Sequence, residues 1–152
     1  MKTLSCERDR DEVLRRLRAV RAGSVAHWGR MSAHQMVCHL SDSFRMAIGE
    51  KPVSDDSSAL RRTIVKWIVL YLPLRWPAGI LTRPEIDQEV GGTRPVNFDV
   101  DVANLEALMA AITSEKRSFS WRPHPLFGSM SEADWHRWGY LHVDHHLRQF
   151  GA

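Results

Sequence analysis

Apolar residues recur at helical spacing along most of this sequence, and that periodicity is what most limits its fold. Gly23 and Gly49 are natural helix stops, and Ser32 and Ser131 are good N-caps. The segments that fit a helix are 7–22, 33–48, 58–71, 102–115 and 131–150. The alternation in "VNFDVDV" is too short for a strand and leads into the fourth segment. We therefore predict an all-α fold, with four main helices and a fifth segment packed as a bundle.

The length of 152 residues fits one domain, 1–152, with a real core. Cys6 and Cys38 are too few for a disulfide scaffold and favour a reducing, cytoplasmic setting, and the start of the chain has no apolar run that would mark a signal peptide. The net charge of +3 is modest and its basic residues are interleaved with acids. With no recognised motif, we expect no nucleic-acid partner.

The most apolar stretch, 64–81, is "IVKWIVLYLPLRWPAGIL". Charged residues and prolines interrupt it, whereas a membrane span needs about 20 mostly apolar residues. We expect a buried helix and turn, no membrane partner, and a plausible dimer face. The Pro- and Gly-rich segment 72–95 is long for a loop, which is typical of lids and pocket walls.

The last helix carries histidines on its apolar side. Each residue advances about 100° around a helix, so His142 and His146 fall within the arc marked by Trp135 and Val143. His145 falls at the edge of that arc. Because His142 and His146 are four residues apart, both rings can reach one point.

The second predicted helix adds one more inward histidine. Met36, Leu40 and Phe44 mark its buried face, and His39 lies on the margin of that face. His34 falls on the polar side. The helical wheel therefore selects His39 together with the pair in the last helix.

Three inward imidazoles leave two interpretations open. A buried imidazole without a partner is costly, and three close together cannot all be charged. They are either hydrogen-bonded core residues or ligands of a divalent metal such as Zn²⁺, Ni²⁺ or Fe²⁺, with one coordination position open. "HVDHH" lacks the glutamate of HExxH, so a zinc protease is not favoured.

Other residues near this site have weaker signals. Asp42 is either a carboxylate that orients the ring of His39 or a solvated one. His124 lies at a pocket mouth or shapes a turn. His145 is either an alternative ligand or proton carrier, or a residue at the surface or rim, and its edge position favours the second interpretation. Cys38 is expected to be structural. The tryptophans at positions 135 and 138 are expected in the core and the pocket wall.

Two blocks resemble the DinB/YfiT-like superfamily. "MSAHQMVCHLSDSFRMAIGE" is similar to its first block, in which a histidine sits mid-helix, and "HPLFGSMSEADWHRWGYLHVDHHLRQF" is similar to the closing block of a DinB-like branch. The resemblance implies an up-down-down-up four-helix bundle with an additional short helix or long loop, and a homodimer. It also implies zinc or nickel bound by His39, His142 and His146.

Some members of that superfamily transfer or isomerise with low-molecular-weight thiols such as bacillithiol or mycothiol. The first hypothesis is therefore a metal-dependent, thiol-dependent S-transferase acting on a small molecule. The alternatives are a non-catalytic metal-binding or oligomerisation bundle, and a hydrolase that uses metal-bound hydroxide. The sequence names neither the catalytic residues nor the substrate.

Overall fold

The fold is built from helices, and the computed structural model describes it for residues 1–79 and 82–152. The helices in chain order are α1 (Glu7–Leu17), α2 (Ala33–Ile48), α3 (Lys66–Tyr71), α4 (Phe98–Thr113) and α5 (Glu132–Gln149). A π-helical segment, Arg61–Val65, runs directly into α3, and a 3₁₀ turn, Pro84–Ile86, lies in the loop before α4. In the described ranges there is no β-strand, only an isolated bridge between His124 and Gly128. The prediction of an all-α fold is confirmed.

Capping chemistry fixes the starts of the two helices that carry the inward histidines. Ser32 caps α2, and Ser131 caps α5. In each case the serine side chain accepts a hydrogen bond from the backbone three residues on, and that residue's own side chain bonds back. Gly49 ends α2 with a φ of +87°, a left-handed conformation that favours glycine. Both capped starts agree with the predicted bounds.

Two helices have other ends than the sequence predicted. α1 ends at Leu17, five residues early, because a tighter turn takes over, in which Val20 N donates to Leu17 O at 3.1 Å. α4 begins at Phe98, four residues early, because the Asn97 side chain caps it by accepting from Val100 N at 3.1 Å. The alternating "VNFDVDV" is therefore mostly the first turn of a helix.

One hydrophobic core receives side chains from every helix. α2 packs mainly against α4, and α5 packs against α1, α2 and α3. Fully buried examples from α1 to α5 in order are Leu17, Phe44, Leu70, Leu105 and Trp135. Gly139 lets α5 approach the N-terminal segment closely, since a Cβ there would lie 2.7 Å from Leu4 Cδ1. This packing brings the histidine-bearing faces of α2 and α5 together.

The expectation of a buried helix in the apolar stretch 64–81 is wrong for most of that helix. Leu60 and Ile64 are 58% exposed, and Trp67 is 56% exposed. The short α3 packs one side against α5, and on that side Leu70 is fully buried. Leu60, Ile64 and Trp67, which recur at helical spacing, therefore form an apolar stripe that faces outward. Residues 80 and 81 of the stretch lie outside the described ranges.

No helix in the described part of the chain combines the length and the apolar character needed to cross a membrane.

A matched pair of substitutions tests the orientation of this segment. Leu70→Ala should lower the free energy of unfolding by about 2–5 kcal/mol, because it removes buried methyl groups and leaves a cavity. Leu60→Ala makes the same chemical change at a site 58% exposed and should cost less than about 1 kcal/mol. Urea denaturation of both variants measures the difference. Equal costs would contradict the outward orientation of the stripe.

Candidate metal centre

The structure places His39, His142 and His146 around one point. His39 lies in the middle of α2, and the other two lie one turn apart on the facing side of α5. Each offers one ring nitrogen, and these three atoms lie within 4.8 Å of one another. All three residues are buried. The convergence that the helical wheel predicted is therefore present, and the binding of a metal there stays a prediction.

The spacing of the nitrogens fits a small cation. His39 Nε2 and His142 Nε2 are 3.2 Å apart. A tetrahedral zinc ion with Zn–N bonds of about 2.0–2.1 Å holds two ligand nitrogens about 3.3–3.4 Å apart. The three ring centroids lie 4.9–5.1 Å from one another. The distance between these two nitrogens is therefore close to that in a zinc site, and the third nitrogen lies within 4.8 Å of both.

A backbone carbonyl sets the tautomer of His39. Its Nδ1 lies 2.8 Å from the carbonyl oxygen of Ile86, which can only accept, so Nδ1 carries the proton and donates. Nε2 then keeps its lone pair and faces the centre. Metal-ligating histidines usually hold their other ring nitrogen in this way.

A side-chain amide sets the tautomer of His146. Gln149 Nε2 donates to the carbonyl oxygen of Trp28 at 2.7 Å, which leaves Gln149 Oε1 as an acceptor. His146 Nδ1 lies 2.9 Å from that oxygen and donates to it. His146 Nε2 therefore also keeps a lone pair. The sequence analysis missed Ile86 and Gln149, although Gln149, three residues after His146 on the same helix, could have been noticed.

The electrostatics keep the three rings neutral. Burial lowers the pKa of His39, and it lowers the pKa of His142 and His146 well below the usual range, with neighbouring imidazoles adding to the effect. The Nε2 atoms of His39 and His142 hydrogen-bond each other. The Nε2 lone pair of His146 takes no part in this bond. Within the described residues His142 Nδ1 has no hydrogen-bond partner either. A divalent cation would satisfy all three Nε2 atoms, and neutral imidazole is the form that binds metals.

Asp42 has neither of the roles that the sequence suggested. Its side chain is completely buried rather than solvated, and it does not bond the ring of His39. Its carboxylate binds residues 88 and 93 of the following loop and residue 51, namely Gln88 at 3.1 Å, Thr93 at 2.6 and 2.7 Å, and Lys51 at 3.1 Å. It thereby ties to α2 the loop that carries the Ile86 carbonyl. Asp42 is therefore connected to the ring of His39 indirectly, through the loop that it holds.

His145 lies deeper than its predicted rim position. It is buried, with ring centroids 5.9 Å from Trp28 and 6.1 Å from Trp76. It is not among the three residues whose nitrogens converge. His124 shapes a turn, as one interpretation expected, because its Nδ1 accepts from Leu126 N at 3.1 Å. It is also buried and lines the cavity described next.

A cavity of about 290 Å³ opens onto all three converging histidines. Its walls are mostly apolar and include Trp138 from α5, as predicted, whereas Trp135 is in the core. The loop 72–95 contributes Trp76, Thr82 and Ile86, so the prediction that this loop forms part of a pocket holds for its described residues. A second cavity, more polar and also about 290 Å³, is lined by His145 and His146 but not by His39 or His142. A fourth ligand would therefore approach from the apolar cavity.

A second cluster joins His34, Cys38 and Asp101, whose side chains bond one another. His34 Nε2 bonds Asp101 Oδ2 at 2.7 Å, and Cys38 Sγ lies 3.8 Å from the same oxygen. Burial, together with the nearby carboxylates, raises the pKa of the Cys38 thiol to about 12, so the thiol is protonated near neutral pH in the metal-free protein. The cluster ties α2 to α4, in agreement with the structural role expected for Cys38.

Asp42→Asn should lower both stability and zinc affinity. The change removes the charge that bonds the loop, which should cost about 1–3 kcal/mol in urea denaturation. Zinc affinity should fall by about tenfold, because the carbonyl that orients His39 is less firmly held. In Asp144→Asn, the pairs with Arg16 and Arg148 at the partly exposed α1–α5 edge are weakened instead, so zinc affinity should not change. Equal zinc affinity in both variants would contradict this role of Asp42.

The metal-free protein should lose stability as the pH falls from 7 to 5.5. Burial lowers the pKa of His124 to about 3 and also lowers those of the three converging histidines. Since unfolded histidines have a pKa near 6.5, the unfolded chain takes up protons that the fold excludes. Each fully excluded proton steepens the fall by up to about 1.4 kcal/mol per pH unit.

Urea denaturation at several pH values measures this slope. His124→Asn should make this slope less steep by the contribution of one histidine. The difference from the wild type then gives the contribution of His124 apart from those of the other buried imidazoles. A stability that does not change over this range would mean that the folded protein takes up the same protons, and that the rings are not held neutral.

No curated protein and no solved structure matches the sequence at a significant level. One family model does match, and it extends over residues 3–152, nearly the whole chain. The helical architecture and the buried histidines described above are therefore features of a member of that family. The chain belongs to the family described as protein of unknown function, DUF1569.

Proposed function

We propose that the protein is a divalent-metal-dependent enzyme, with zinc or nickel held by His39, His142 and His146 and a small thiol as the fourth ligand. The observation that carries the proposal is the burial, neutrality and tautomeric state of the three imidazole rings. They are buried and neutral, and the bonds to Ile86 and Gln149 leave the Nε2 atoms of His39 and His146 unprotonated, with a lone pair each. Three histidine ligands leave one position open, as in catalytic zinc sites.

A bound metal would supply one chemical function, which is to lower the pKa of a coordinated thiol or water so that it is a nucleophile near neutral pH. The protein's own residues supply the rest. The apolar wall, including Trp76 and Trp138, excludes water from the nucleophile. Within the described residues no carboxylate lines this cavity. A carboxylate general base for activating water is therefore absent from the described wall, and the imidazoles of His124 and His145 are the remaining side chains there that could accept a proton.

The resemblance to the DinB/YfiT-like superfamily supports the same proposal. The helical fold places the mid-helix histidine of α2 opposite the HxxxH pair of α5, as the two similar blocks require. We include the up-down-down-up topology and the bacillithiol- or mycothiol-type thiol in the proposal. Such thiols need a reducing compartment, and Cys6 and Cys38 are both free in the structure.

The outward apolar face of the π-helical segment and α3 supports a second candidate role, in oligomerisation. Ile64 and Trp67 are more than half exposed on this face, which gives it the apolar character of an interface core. We propose a homodimer formed through this face. It is compatible with either a catalytic or a purely metal-binding centre, because the cavity beside the histidines is lined by the other side of the same segment, including Val65 and Val69.

Metal content tests the proposal. Protein purified without a nickel column and analysed by plasma mass spectrometry should carry about one zinc or nickel per chain. His39→Ala and His142→Ala should lose it. Gln149→Leu should keep the three ligands but bind metal about 10–100-fold more weakly, because it removes the acceptor that orients His146.

His34→Ala is the matched control, because His34 lies on α2 outside the converging group and should leave the metal in place. Wild-type protein that takes up no metal after incubation with zinc or nickel would overturn the proposal. The inward histidines would then be a hydrogen-bonded core feature.

A further inference from the structure

Among its described lining residues, the apolar cavity beside the three histidines has permanently charged groups of one sign. Its wall is largely Val65, Val69, Trp76, Leu126, Phe127 and Trp138. The permanently charged side chains among its described lining residues are two arginines, Arg61 and Arg83. A cationic ligand would therefore meet only like charges, whereas an anionic ligand would meet opposite ones.

The acids that pair with the two arginines lie outside the described lining of the cavity. Both arginines contact one carboxylate oxygen, Asp56 Oδ2, which lies 2.8 Å from Arg61 Nη1 and 3.4 Å from Arg83 Nη1. Asp55 and Glu85 also interact with Arg83. Because none of these carboxylates is among the described lining residues, the charged side chains that border the apolar wall are the guanidinium groups, and the low dielectric there strengthens their attraction for an anion.

Arg83 also has hydrogen-bonding capacity left over. Its Nη2 donates to Ser54 Oγ, but its Nε–H is buried and has no acceptor among the described residues. Glu85 Oε2 is likewise buried without a partner in the described part of the chain, while Glu85 Oε1 accepts from Ser54 N at 3.0 Å. Glu85 does not line the cavity, and Arg83 does. A buried donor without an acceptor is unfavourable, and a rotation of the Arg83 guanidinium toward the cavity would let a ligand oxygen accept from it.

The size of the cavity limits the ligand. A volume of about 290 Å³ is at the small end of small-molecule pockets and suits a single ring or a short chain. The rings of Trp138 and His142 lie 4.7 Å apart between centroids, so an apolar body against Trp138 would be next to the converging histidines. The cavity therefore joins an apolar wall, a cationic residue and the candidate metal centre.

We propose that this cavity binds a small molecule with one apolar ring or short chain and one anionic oxygen group, such as a carboxylate, sulfonate or phosphate. The anionic group bonds Arg83, and the apolar body lies against Trp76 and Trp138. The role of this molecule as the acceptor substrate rests on the proposed function. Its binding does not, because neither the apolar wall nor Arg83 needs a metal.

Probes of nearly equal shape and different charge test the proposal. Isothermal titration calorimetry at pH 7.5 would compare 4-tert-butylbenzoate, the neutral 4-tert-butylbenzamide and the cationic 4-tert-butylbenzylamine. The protein would be stripped of metal with a chelator, since a carboxylate could otherwise bind a metal directly. The benzoate should bind at least about tenfold more tightly than the benzamide, as expected for one charge-assisted hydrogen bond, and the amine most weakly.

Arg83→Gln should reduce the affinity for the benzoate to that for the benzamide and leave the benzamide unchanged. Arg75→Gln is the matched control, because Arg75 is exposed in the same loop and does not line the cavity. A benzoate preference that persists in Arg83→Gln would overturn the proposal and indicate that Arg83 serves only to hold Asp56 and Ser54. Equal binding of benzoate and benzamide by the wild type would overturn it without any variant.

Metal content of the same samples, measured after incubation with zinc, separates the two proposals. A charge preference in a protein that takes up no zinc would support this cavity and overturn the metal centre. Zinc uptake without a charge preference would support the metal centre and overturn the anion-binding role of this cavity.

Discussion

The burial of three uncharged imidazoles between α2 and α5 is the constraint on which the rest of the structure depends. A hydrophobic core tolerates polar ring nitrogens only when each finds a partner. The Nδ1 atoms of His39 and His146 have such partners, whereas the Nε2 atoms converge on one another. The facing helices thus create an excess of lone pairs at one point, and a divalent cation is the simplest group that would satisfy them.

A layer of contacts around the three histidines maintains this arrangement. Gln149 is oriented by its bond to the Trp28 carbonyl and in turn accepts from His146. The buried carboxylate of Asp42 bonds the loop whose Ile86 carbonyl accepts from His39. The same loop region walls the apolar cavity. Orientation of the rings and the shape of the cavity are therefore coupled, so that changes in the loop would affect both the candidate metal centre and the binding of a small molecule beside it.

The part of this site that follows helical periodicity could be predicted from the sequence, and the part that depends on loops could not. Repeated apolar positions and the serine caps fixed α2 and α5 closely enough to select His39, His142 and His146. The backbone carbonyl of Ile86 has no signature in a sequence, because any residue in that loop conformation would supply it. His145 is at the edge of the helical arc but is covered by Trp28 and Trp76, which only the folded loops bring there. Periodicity also failed for the π-helical segment and α3, where an apolar stripe faces outward.

X-ray absorption at the zinc edge is the most direct test of the central claim, which is that three histidines hold a metal with one position open to a thiol. Zinc-loaded protein should show three imidazole nitrogens at about 2.0 Å and one further light atom. Addition of a small thiol should replace that light atom with sulfur at about 2.3 Å. A spectrum with four protein ligands that does not change with thiol, or protein that binds no zinc, would contradict the account.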